Sequence, residues 1–101
     1  MQEVVTMVSA RIPDDRAGGL VAAFNRAVRA GLPEQRRQTS LLRGQGGDWR
    51  IVTVWSSRDD LDAYLASVDE PFAVRLLREA GGTGSVDVLE MVAASGVNWW
   101  P

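Results

Sequence analysis

Cysteine, histidine and lysine are all missing from the 101 residues of this chain. Without cysteine there is no disulfide, no thiolate nucleophile and no thiolate metal site. Without histidine the chain lacks the side chain most used for proton transfer near neutrality, which is also the commonest metal ligand. All eleven basic residues are arginine, so no Schiff-base lysine exists. Zinc hydrolases, Ser-His-Asp hydrolases and His-ligated haem are excluded by composition. Aromatic residues are few: four Trp, two Phe and one Tyr. No apolar run approaches the ~20 residues of a membrane span. The opening "MQEVVTMVSARIPDD" has no basic leader followed by an apolar stretch, so no signal peptide is expected and the cytoplasm is the simplest location. A net charge of −2 with a pI near 5.0 gives no electrostatic footprint for nucleic acid.

What is present is a chain of one-domain length, 1–101, with 46% hydrophobic and 24% charged residues. Glu3 to Ile12 is rich in Val and reads as a strand. Pro13-Asp14-Asp15 offers a helix start with an Asp as cap. Leu20, Phe24, Ala27 and Val28 then recur at helical spacing until Gly31 and Pro33 stop the helix. Gln38 to Gly44 and Trp49 to Trp55 read as two strands of a hairpin around a Gly-Gly turn. Ser57 and Asp60 match a capping box, which starts a second helix with Leu61, Tyr64 and Leu65 inward. That helix breaks near Val68–Pro71, restarts through Phe72 and Leu76, and ends at Gly81-Gly82. Ser85 to Ala93 reads as the last strand, and 94–101 as a tail in which Trp99 and Trp100 are expected to dock on the body or on a partner subunit.

The order β-α-β-β-α-β, with the second helix broken, is the ferredoxin-like pattern: an α+β fold with one four-stranded antiparallel sheet and both helices on one face. In the first strand Val4, Thr6, Val8 and Ala10 share one face, and Val5, Met7 and Ser9 the other. In the third, Ile51, Thr53 and Trp55 oppose Val52 and Val54. Both faces are apolar, yet helices can cover only one. One face is therefore left uncovered, and it is expected to meet a second copy of the chain in a homodimer.

The layout, and "VTVWSSRDDLDAYLAS" in particular, resembles the antibiotic biosynthesis monooxygenase family of dimeric α+β barrels. Members often carry Trp-Glu-Ser after the third strand and a His within about one or two helical turns. Trp55-Ser56-Ser57 matches the first and third positions, and Tyr64 falls near the position of the His. The resemblance spans residues 3–93. It implies a homodimer with one pocket per subunit between sheet and helices, binding a small aromatic or hydrophobic molecule; that pocket puts Ile51, Thr53 and Trp55 under the helices and leaves the face of Val5, Met7, Val52 and Val54 for the second copy. It also implies oxidation of a phenolic or polyketide-type aromatic by dioxygen with no cofactor and no metal. A branch of the family degrades haem using an Asn, a Trp and an iron-ligating His; here the Asn position falls near Ala10 and no His exists, which leaves Tyr64 as the one conceivable iron ligand at that position.

Within that resemblance Trp55 and Tyr64 are the catalytic candidates, as donors able to stabilise a phenolate. Phe24, Phe72 and Thr53 are candidate substrate contacts, and Arg43 and Arg75 candidate anion partners. Each has a structural alternative. Trp55 reads equally as a plug sealing the sheet, Tyr64 as a packed ring with its hydroxyl bonded to a neighbour, Phe24 and Phe72 as core, and the arginines as solvated surface. Trp55 and Tyr64 are expected to border one pocket between sheet and helices. Two other roles fit the same residues: a dimer that binds a small hydrophobic ligand without turnover, and a polyketide cyclase.

Overall fold

The computed structural model describes residues 2–95; the expectation for Trp99 and Trp100 lies outside the described residues. Four strands, β1 (Val4–Arg11), β2 (Arg36–Arg43), β3 (Asp48–Trp55) and β4 (Ser85–Glu90), form one antiparallel sheet in the order β2-β3-β1-β4. Three helices, α1 (Asp14–Ala30), α2 (Arg58–Ser67) and α3 (Phe72–Glu79), complete the ferredoxin-like α+β arrangement.

Local chemistry explains most boundaries. Pro13, not an Asp, takes the cap position of α1, and no side chain caps it. Asp14 and Asp15 sit instead in the first turn, where their charge favours the helix dipole. Gly31 ends the helix at a φ of 101°, a left-handed conformation that suits glycine. Between β2 and β3, Gly46 and Gly47 both take positive φ. The Gly47 carbonyl accepts from the Ile12 amide at 2.9 Å, and a Cβ on Gly47 would lie 3.1 Å from the Ile12 oxygen. The turn is thus tied to the exit of β1. Ser57 caps α2 as its spacing predicts, accepting from the Asp60 amide at 3.1 Å. The break between α2 and α3 is clamped by Arg78, whose Nε and Nη2 each donate to a Glu70 carboxylate oxygen at 2.9 Å. This bond from Arg78 holds the Glu70 carboxyl below its ordinary pKa.

The core lies between the sheet and the helices. Register places Val4 beside Trp55 and Val8 beside Ile51, and all four are buried with Leu20, Leu61 and Leu77 from the helices. The opposite face has no helix over it. Val5, Met7 and Val52 are half-buried there, and Val54, although buried, lies outside the core cluster. Leu42 and Leu89 stand about half exposed at the two edges of that face, at 48% and 49%. The last strand ends earlier than its valine pattern predicts, at Glu90, and every residue in it is exposed. Its Val86 and Val88 face the helix side, but neither is covered.

Among the described residues no helix is long and apolar enough to cross a membrane. Gly18 lies inside α1, is exposed, and a Cβ added there would meet nothing within 4 Å. Gly18→Ala removes backbone freedom from the unfolded chain without a clash, so it is expected to stabilise the protein by about 0.5–1 kcal/mol. Thermal unfolding followed by circular dichroism should show Tm raised by several degrees.

Candidate functional site

The end of β3 delivers Trp55 under the helical layer because its parity matches Ile51 and Thr53, both fully buried. The stripe of α2 brings Tyr64 down onto it. The two rings stack, with centroids 5.2 Å apart and planes at 27°. Phe72, opening α3, meets the Tyr64 ring edge-on at 6.3 Å. These are geometries in which aromatic pairs attract beyond their buried area.

The polar atoms of the pair have partners inside the protein. Trp55 Nε1–H donates to Thr6 Oγ1 at 2.9 Å. Tyr64 Oη accepts from the Phe72 amide at 2.9 Å, so the break between α2 and α3 is bridged by the tyrosine hydroxyl. The Tyr64 O–H proton remains available to a further acceptor, whereas the Trp55 proton is already committed to Thr6.

Below the aromatics runs a row of hydroxyls. Thr6 pairs with Thr53 across β1 and β3, and Thr53 pairs with Thr39 across β3 and β2. Thr39 Oγ1 and Thr53 Oγ1 are 3.0 Å apart. Thr53 is 1% exposed, while Thr6 and Thr39 are half-buried toward the two sides. Three hydroxyls in line on the helix-facing side of a sheet interrupt an otherwise apolar floor. Arg36, the cross-strand partner of Trp55, contributes a buried Nε with no hydrogen-bond partner.

The predicted residues divide by position. Trp55, Tyr64 and Phe72 form one contact group with Thr53 on the adjoining floor, and Phe24 is half-buried on α1 against the same core. Arg43 stands at the other end of β3, its guanidinium carbon 4.8 Å from the Trp49 ring centre. Arg75 is exposed on α3 and lines a cleft toward α1. Trp55 and Tyr64, expected to border one pocket, are in direct ring-on-ring contact. Two adjoining clefts of about 210 and 330 Å³ lie between α1 and α3, and one of about 240 Å³ lies beside Gln2, Val4, Ser57 and Glu90; Trp55 and Tyr64 line none of them. Thr6, Thr39 and Arg36 are the residues that reading the sequence missed. Thr6 carries a signal, since it shares the parity of buried Val4 and Val8. Thr39 and Arg36 become visible only once the β2–β3 register, with its irregularity between Arg36 and Gln38, is fixed.

Tyr64→Phe would leave the Phe72 amide without its acceptor in a buried position. The expected loss is about 1–3 kcal/mol, more than for an ordinary hydrogen bond, because the orphaned donor stays buried. A lowered urea midpoint with an unchanged slope would record it.

No family model matches the sequence, and no curated protein does. Solved structures do match. A haem-degrading protein of Mycobacterium tuberculosis superposes with a TM-score of 0.68 at 20% identity, over 95% of this chain and 98% of that one. A cofactor-independent oxygenase of Streptomyces nogalater gives 0.61 at 16% identity, over 96% and 98%. A Deinococcus radiodurans protein assigned as an antibiotic biosynthesis monooxygenase gives 0.61 at 14% identity, over 94% and 96%. Along nearly its whole length, therefore, the chain has the fold of the antibiotic biosynthesis monooxygenase-like proteins.

Proposed function

We propose that this protein is a monooxygenase-like dimer that oxidises a phenolic or polyketide-type aromatic with dioxygen and without a cofactor. The observation that carries the reading is the helix-facing hydroxyl row Thr39–Thr53–Thr6, set beside Trp55 and Tyr64. It lies in a fold shared with a cofactor-independent oxygenase and in a chain that lacks the histidine by which the haem-degrading branch ligates iron.

Such a reaction asks the protein for binding, orientation and exclusion of water. The electrons come from the substrate. A deprotonated anthrone-type ring adds dioxygen at its activated carbon, and loss of water from the resulting hydroperoxide leaves a ketone. One oxygen atom enters the product and the other leaves as water, so no external reductant is needed. Hydroxyls of the threonine row and the Tyr64 O–H are suited to hold the phenolate and ketone oxygens. No Asp or Glu among the described residues is fully buried, so in this reading the substrate's own acidity delivers its proton to solvent. Opening the Trp55–Tyr64 stack admits the flat ring.

The closed stack also favours a second reading, a dimer that binds a small hydrophobic ligand without turning it over. The two separate in one assay. Aerobic incubation with a tricyclic anthrone, following quinone absorbance and oxygen uptake, gives protein-dependent quinone in the first reading. In the second it gives only the background rate.

The homodimer rests on the uncovered sheet face. Val5, Met7, Val52, Val54 and Leu89 form an apolar surface there, and a matching surface on a second copy would cover it at about the ~1,600 Å² of a standard interface. Sedimentation equilibrium at micromolar concentration should return twice the chain mass. Val52→Arg should return the monomer, because the interface would bury an unpaired charge.

A further inference from the structure

The two adjoining clefts between α1 and α3 share Ala23, Arg26, Leu76 and Glu79 and together form one groove across the outside of the helical layer. Its floor is apolar and shallow, made by Gly19, Ala23, Ala27 and Leu76. Its ends are cationic. Arg16 stands at one end, where its Nη2 donates to the backbone carbonyl of Glu79 at 2.8 Å. Arg26 and Arg75 stand on facing helices toward the other end. Arg16 and Arg26 are ten positions apart on one helix, which sets the groove length at roughly 15 Å.

The charges here are not neutralised internally. Neither Arg26 nor Arg75 forms a hydrogen bond or ion pair among the described residues; Arg75 acts on Glu70 only at longer range. Among the described residues Glu79 is the only acid lining the groove, and its charge acts on Arg78. Three guanidinium groups against one carboxylate make a local positive site on a chain of net charge −2. The larger cleft, about 330 Å³, lies at the low end of the ~300–1,000 Å³ range of small-molecule sites.

We propose that this groove binds a linear amphipathic carboxylate, with its alkyl chain on the Ala23–Leu76 floor and its head group between Arg26 and Arg75. A groove between two helices admits a chain better than a fused ring system, and two arginines lining one cleft from facing helices suit a carboxylate through charge-assisted hydrogen bonds. The site is separate from the Trp55–Tyr64 pair, and its test does not read oxidation.

Octanoate is titrated into the ¹⁵N-labelled full chain, with octanol as the uncharged control. Amide shifts are expected to concentrate at 16–30 and 72–80 and to weaken with added salt. Arg26→Gln and Arg75→Gln, both exposed substitutions compatible with the fold, should each raise Kd by about tenfold. Ala23→Leu should abolish binding by filling the floor. The proposal is overturned if octanol binds as tightly as octanoate, or if the shifts fall on the uncovered sheet face around Val5 and Val52. It is equally overturned if neither arginine substitution changes Kd, or if no shifts appear at millimolar octanoate.

Discussion

The structure turns on the burial of one indole at the end of β3. Trp55 is 2% exposed, and a Trp N–H in such a place needs an acceptor. Thr6 provides it from the neighbouring strand. The ring then gives Tyr64 a flat surface to stack on, and the tyrosine hydroxyl in turn receives the amide that opens α3. One contact chain therefore links β1, β3, α2 and α3. It also explains why the second helix can break: the free amide at the start of α3 has a side-chain acceptor instead of a helical one.

That arrangement sets the relation between stability and function in the site. The residues proposed to meet a phenolic ring are also the residues that hold the helices on the sheet. A ring entering between them would have to part the stack and lift α2 from the sheet, so it must offset the loss of Leu61 packing and of the Tyr64–Phe72 hydrogen bond as well as the ring contact. The threonine row beneath is already hydrogen-bonded, Thr39 to Thr53 and Thr6 to Trp55, and hydroxyls can reorient to a new partner without leaving a charge buried.

The order of elements, the helix break and the two faces of each strand were legible in the sequence, because each depends on local signals. Gly46-Gly47 fixes the hairpin, Ser57 and Asp60 mark the cap, and the alternation Ile51-Val52-Thr53-Val54 separates two apolar faces, of which only the family resemblance put Ile51 and Thr53 inside. The site was legible only in part. Trp55 and Tyr64 do meet, as their parity and helical stripe require, but their spacing says nothing about whether a cavity separates them. That depends on how far α2 descends onto the sheet, a property of packing among Leu61, Phe72 and Leu77 rather than of any one segment. Arg43 shows the same limit. Its chemistry suits an anion, but register sends it to Trp49 at the far end of the strand.

The pairing of β1 with β4 has a consequence for the order in which the chain folds. Val4 lies opposite Glu90, and the Met91 amide reaches the Glu3 carbonyl at 3.0 Å, so this ladder joins the two extremes of the described chain. Closing so long a loop is entropically the most demanding step, while β2 and β3 need only a tight turn to meet. With β4 exposed along its length, little apolar burial draws it in early. The hairpin and helices are thus expected to assemble around β1 first, with β4 zipping on last. Until it does, the free edge of β1 is open to any other strand, including the β4 of another chain still emerging from synthesis.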